Sequence, residues 1–249
     1  MHEKTVFMSD MHLAAKKSKA RHIHEFLDSY DPKSLNSIYL VGDVVDIWKF
    51  KQVMNMPKRS QKYHLRCIDK LIRMSNKGVE VRYIWGNHDE FLARFAGSKS
   101  FGNISLSERE SYTCSEGKKY LVLHGHQFDL MSRYMLVGKL GDNCYDLAIW
   151  FNEKLNRIRM MLGMKYWSVS KYLKTKVKRA SQFIDRFENI STDYAKENGY
   201  DGVICGHIHD PKDCMVNGIR YINLGCWTDI SNLTYAVDEG RGIELKKWD

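Results

Sequence analysis

The stretch "GVICGHIHD", residues 202–210, begins as an apolar run and ends in two histidines one residue apart. In an extended backbone His207 and His209 project to the same side, which is a geometry for gripping a ligand where a buried strand ends. Two neighbouring histidines alone do not establish a metal site. The other strand ends of the chain decide what they are for.

Five further runs have the same character: "TVFMSD" (5–10), "SIYLVGD" (37–43), "VEVRYIWGN" (79–87), "KYLVLHG" (119–125) and "IRYINLG" (219–225). Each reads as a buried strand that stops at Gly, Asp, Asn or His. Between them "ARHIHEFLDSY" and "KYHLRCIDKLIRMSNKG" carry helical periodicity, the second stopping at Gly78 as a C-cap would. This alternation predicts an α/β fold with its sheet buried on both faces, in which ligands bind where the strands end.

Nearly all of those ends offer a donor. They are Asp10 and His12; Asp43; Asn87, His88 and Asp89; His124 and His126; and His207 and His209. Carboxylate, imidazole and amide oxygen suit Mn²⁺, Fe²⁺ or Zn²⁺ better than a thiophilic ion. So many ligands exceed what one ion with an open position uses, and two ions sharing a carboxylate account for them. Such a pair, roughly 3.5–4 Å apart, clamps the oxygens of a phosphoryl group.

The ordered set "SDMH", "GDVVD", "GNHD", "HGH" and "GHIH" resembles the calcineurin-like metallophosphoesterases along the whole chain apart from one insertion. The resemblance implies a four-layer αββα sandwich and two divalent ions, with Mn²⁺ the first choice. It implies that Asp10, His12 and His209 hold one ion, that Asn87, His124 and His207 hold the other, and that Asp43 bridges them. His88 would face the substrate phosphate, oriented by Asp46. Asp89 and His126 are candidates for supporting the ligands by hydrogen bonds.

Composition is that of a globular chain: 249 residues, 43% hydrophobic, net charge +9. Only three prolines occur and no low-complexity linker is visible, which predicts a single domain over 1–249. From about 130 to 200 the strand grammar lapses. Leu147, Phe151, Leu155, Ile158 and Leu162 form one helical stripe, and Tyr172, Leu173, Val177, Ile184 and Phe187 a second, so a helical insertion is expected there. Residues 151–180 hold nine Lys or Arg against the single acid Glu153. Such a block can bind phosphates, nucleic acid or an anionic membrane, or form a solvated helical face.

"GDVVDIW", the basic helical insertion and "YINLGCWTD" are similar to the UDP-2,3-diacylglucosamine pyrophosphatase family of lipid A synthesis, in which the insertion forms a lid over acyl chains. That likeness implies cleavage of a nucleotide-lipid diphosphate to UMP and an acylated sugar 1-phosphate. Lys174, Lys178 and Arg179 are candidate phosphate contacts. The chain departs from the family in carrying His88 where well-known members have Arg. Other nucleotide or lipid phosphoesters, or a nuclease stacking bases on Trp150, Tyr166, Trp167 and Tyr172, are the alternative readings. A non-enzymatic scaffold would be expected to show gaps in the motif set, and there are none.

No apolar stretch reaches the roughly 18–20 residues of a membrane span, and "MHEKTVFMSD" lacks the order of a secretion signal. Six scattered cysteines without a C-x-x-C pair fit a reducing compartment. The expected location is the cytoplasm, with transient contact to the anionic inner-membrane surface.

Overall fold

The computed structural model describes residues 4–97, 103–128 and 169–249, with the backbone alone for residues 50, 52 and 169–180. The stripe Leu147 to Leu162, the aromatics Trp150, Tyr166 and Trp167, and the insertion up to residue 168 lie outside the described residues. The chain divides into two compact units, Met1–Gln127 with Asn189–Asp249, and Phe128–Glu188.

The larger unit is built on two sheets. Strands β1 (Lys4–Met8), β2 (Leu35–Val41), β3 (Glu80–Ile84) and β4 (Ile104–Ser107) run parallel to one another, while β10 (Thr234–Asp238) joins β1 antiparallel and β11 (Ile243–Lys247) closes the far edge. The second sheet has the order β5 (Arg109–Thr113), β6 (Lys119–Leu123), β7 (Gly202–Cys205), β9 (Ile219–Asn223) and β8 (Lys212–Val216). Its centre, β6, β7 and β9, is parallel.

Alternation along the strands explains why two layers form. Val6 and Met8 of β1, with Ile38 and Leu40 of β2, share a cluster with Ile23, Phe26 and Leu27 of helix α1 (Ala20–Asp28). Cys67, Leu71 and Met74 of α3 (Lys58–Asn76) complete it, α2 being the short helix Phe50–Met54. The intervening residues Phe7, Tyr39 and Val41 point the other way, into a second cluster with Ile84, Tyr120, Val122, Ile204 and Ile222 of both sheets. A period of two thus buries both faces of one strand. Phe7 stacks on Tyr39 with ring centroids 4.8 Å apart and is fully buried, so Phe7→Ala would cost about 3–5 kcal/mol.

Helix α4 (Val169–Glu197) ends in the larger unit, where Ser191, Thr192 and Ala195 are buried. Tyr194 takes a hydrogen bond from Arg109 of β5, and Asn217 of the β8–β9 turn donates to Asn189 at 3.1 Å, which sets these turns beside the second sheet. Helices thus accompany both sheets, as the αββα reading requires. No helix among the described residues is long and apolar enough to cross a membrane.

Candidate metal centre

The parallel strands β1, β2, β3, β6 and β7 bring their carboxyl ends to the loops that carry the candidate ligands. These loops are held by the backbone itself. Asp10 donates its N–H to the Gly42 carbonyl at 3.1 Å, His12 donates to the Asp43 carbonyl at 2.8 Å, and Gly206 donates to the His124 carbonyl at 3.1 Å.

Among the described residues, seven non-glycine residues have a positive φ, and five of them are candidate ligands: Asp10 (52°), His12 (45°), Asp43 (52°), His207 (69°) and His209 (61°). A non-glycine residue there is uncommon and costs about 1–3 kcal/mol. Five of the seven thus gather at one place, where the turns aim side chains inward.

Two glycines make room for this. Gly42, with φ +78°, lies where a Cβ would strike the His124 ring, and a Cβ on Gly206 would strike Ser9 Oγ and the Asp10 carboxylate.

Three overlapping groups result, each with its ligand atoms within 4.8 Å of one another: Asp10, His12 and His209; His12, Asp43 and His88; and Asp10, Asp43 and His124. His209 Nε2 is 2.9 Å from Asp10 Oδ1 and 3.4 Å from His12 Nε2. The Asp43 carboxylate belongs to two of the groups, with His12 Nε2 at 3.7 Å from Oδ2 and His124 Nε2 at 3.5 Å from Oδ1. The ring of His207 lies 5.1 Å from that of His124, and its backbone N–H donates to Asp10 Oδ2 at 2.9 Å. Asn87 is exposed on the turn that follows β3.

The donor set fits divalent cations. His124 is fully buried, and its Nδ1 sits 3.0 Å from the Val41 carbonyl. Donation from Nδ1 leaves the Nε2 lone pair facing Asp43, and Nε2 makes no hydrogen bond among the described residues. Two acceptors turned towards each other in a dry site call for a cation between them. Without one, protons serve that purpose. Burial would lower the pKa of His124, but the Asp43 and Asp10 charges overcome it and push it up to about 9; Asp10 likewise overcomes burial to push His209 up to about 10. Burial would raise Asp10 and Asp43, yet the surrounding imidazoles hold both well below the usual carboxylate range.

Asp46 lies beneath His88. Its Oδ2 is 3.3 Å from His88 Nδ1, 3.8 Å from His12 Nδ1 and 2.8 Å from Lys49 Nζ. Asp89 is fully buried and takes N–H from Gly86 at 2.6 Å and from Val44 at 2.8 Å, and the Tyr83 hydroxyl at 2.7 Å. His126 stands with its ring 5.6 Å from that of His124, and burial first, then the neighbouring imidazoles, lowers it to about 4. Lys174, Lys178 and Arg179 fall on α4, where their side chains lie outside the described residues.

Three residues here were not singled out from the sequence. Ser9 Oγ lies 2.6 Å from both Asp10 Oδ2 and the Val41 carbonyl, Lys49 pairs with Asp46, and buried Cys226 hydrogen-bonds His209 and lies 3.2 Å from Thr228 Oγ1. Ser9 and Lys49 had a signal, since Ser9 adjoins Asp10 and Lys49 stands three residues after Asp46. Cys226 had none, because its contact is made across the sheet.

The chain is 25% identical over 255 residues to the UDP-2,3-diacylglucosamine hydrolase of Blochmanniella pennsylvanica, covering 96% of this chain and 94% of that one. It is 24% identical to the enzyme of the same name from Porphyromonas gingivalis, over 100% and 99% of the two chains. An archaeal phosphodiesterase of known structure aligns over 98% of both chains at 14% identity with a TM-score of 0.45. The family model described as calcineurin-like phosphoesterase matches residues 3–211, and the chain belongs to that family of metal-dependent phosphoesterases.

Proposed function

We propose that this phosphoesterase hydrolyses the diphosphate of a lipid-linked nucleotide sugar of the UDP-2,3-diacylglucosamine type, releasing UMP and an acylated sugar 1-phosphate. The observation that carries the reading is the end-to-end coverage of relatives bearing that name, joined to a donor set suited to divalent ions.

In this reading Asp10, His12 and His209 would hold one ion, Asn87, His124 and His207 the other, and Asp43 would serve both. Bound Mn²⁺ ions would act as Lewis acids on the phosphoryl oxygens. The chain's own contribution is orientation and proton placement. Asp46, neutralised in part by Lys49, fixes His88 through Nδ1 and leaves Nε2 for a phosphoryl oxygen or the leaving oxygen. Ser9 and the His207 N–H fix the Asp10 carboxylate, so its ligand oxygen does not turn away.

The segment 130–200 would act as a lid over the acyl chains, with Lys174, Lys178 and Arg179 as phosphate contacts. The basic block 151–180 would give transient attachment to an anionic inner-membrane surface from the cytoplasmic side.

The test is UMP release from UDP-2,3-diacylglucosamine by the Mn²⁺-loaded protein, with bis-p-nitrophenyl phosphate alongside. Cleavage of both supports the reading. Cleavage of the simple ester alone rejects the lipid substrate and keeps the phosphoesterase chemistry.

A further inference from the structure

Of the three groups of converging donors, one contains a residue that the two-ion scheme does not use. His12, Asp43 and His88 place one ligand atom each within 4.8 Å of the others, yet the resemblance gives His88 only to the substrate phosphate. His88 Nε2 and His12 Nε2 each lie 3.7 Å from the same oxygen, Asp43 Oδ2. Neighbouring donors on one ion, each about 2.0–2.2 Å from it, stand about 3–4 Å apart. Each imidazole nitrogen already has that spacing from the carboxylate oxygen.

The far sides of the two rings are arranged alike. Asp46 Oδ2 lies 3.3 Å from His88 Nδ1 and 3.8 Å from His12 Nδ1, and neither Nδ1 makes a hydrogen bond to any other described residue. Asp46 is fully buried, so its charge favours the proton on Nδ1 in both rings and leaves both Nε2 lone pairs towards Asp43. A neutral ring that donates to phosphate needs its proton on Nε2 instead. The rings stand edge to face with centroids 4.8 Å apart. Their backbones are tied to the residue they face: the His88 N–H donates to Asp43 Oδ1 at 2.9 Å and the His12 N–H to the Asp43 carbonyl at 2.8 Å. Three acceptors that meet with no proton between them call for a cation.

We propose that His88 is a ligand of the ion held by Asp10, His12 and His209 while no phosphoryl group is bound, and that an incoming phosphoryl oxygen takes its place. The proposal rests on the two-metal reading above and goes beyond it in giving His88 a position on the metal. Once displaced, His88 keeps Asp46 behind it and stands beside the oxygen that replaced it. Asp10, His12, His209 and Asp43 hold the ion when His88 is absent, so metal content does not report this contact. A signal from the ring itself does.

The test is nitrogen-15 NMR of the full chain with labelled histidine rings, loaded with Zn²⁺, which is diamagnetic and takes the same donors. His88→Ala and His88→Asn each assign the His88 signals by their loss. In phosphate-free wild type the His88 Nε2 signal should stand with those of metal-bound imidazole. Saturating inorganic phosphate should return it to the free-imidazole position while the other metal-bound ring signals persist. A His88 signal at the free position in the phosphate-free, Zn²⁺-loaded chain, or a metal-bound one that phosphate does not move, overturns the proposal alone. Absence of any histidine signal shifted by Zn²⁺ overturns the two-metal reading and the proposal with it.

Discussion

The Asp89 carboxylate accepts the backbone N–H of Val44 at 2.8 Å, one residue beyond Asp43, while its other oxygen accepts the N–H of Gly86 at 2.6 Å, one residue before Asn87. One buried side chain therefore fixes the spacing between the turns after β2 and β3. Asp43, the shared carboxylate, and His88 lie on those turns, and the His88 N–H donates to Asp43 Oδ1 at 2.9 Å.

Asp89→Ala strands the Gly86 and Val44 N–H groups and the Tyr83 hydroxyl in a dry environment. A loss of about 3 kcal/mol in urea unfolding is predicted, together with weaker metal binding. A variant as stable as wild type would contradict the tie.

Gly206→Ala puts a methyl group against Ser9 Oγ and the Asp10 carboxylate, both of which are buried and bonded. Because Asp10 must turn to admit it, Mn²⁺ affinity should fall by about 10–100-fold with little change in far-ultraviolet circular dichroism. Wild-type affinity in a Mn²⁺ titration would show that this close approach does not matter.

Removal of metal should destabilise the chain, since the centre then sets carboxylates against protonated imidazoles instead of divalent ions. Saturating Mn²⁺ at about 100 times its dissociation constant is predicted to add about 2.7 kcal/mol, and more if two sites fill. Differential scanning calorimetry with and without EDTA checks this; coincident transitions would count against any site formed by folding.

His64 gives a pH dependence separable from the centre. It is buried on α3, and its Nδ1 accepts the Ala14 N–H at 3.2 Å, so its ring must stay neutral; burial holds its pKa below the usual 6.5. Below pH 6.5 the unfolded chain takes a proton that the folded chain refuses, so this stability is complete above that pH and is lost as pH falls. The loss approaches about 1.4 kcal/mol per pH unit. His64→Asn keeps an acceptor and removes the titration. Its urea midpoint should fall less than that of wild type between pH 7.5 and 5.5, and parallel curves would exclude this role.

The six strands legible in the sequence are β1, β2, β3, β6, β7 and β9, all parallel strands whose apolar runs reflect burial; the parallel edge strand β4 is not among them. β4, β5, β8, β10 and β11 were not legible. "ISLS", "RESYT" and "KDCMV" are half-exposed edge segments, and "TYAVD" with "IELKK" forms a charged antiparallel pair at the other edge. A single sequence marks such strands weakly because neighbours across the sheet, not apolar continuity, hold them. The candidate ligands were legible for the same reason as the buried strands: each follows an apolar run directly. The left-handed backbone that aims Asp10, Asp43 and His209 was not, since nothing in those residue types demands it.

In the proposed centre Asp43 would join two metal ions. The most direct measurement is the Mn²⁺ content of wild type, Asp43→Ala and His88→Ala by inductively coupled plasma mass spectrometry after equilibrium dialysis. Two ions per wild-type chain are expected, with loss of most of both in Asp43→Ala, and near-complete retention in His88→Ala with hydrolysis of bis-p-nitrophenyl phosphate reduced by about 10²-fold or more. One ion in wild type, or equal metal loss in both variants, would contradict it.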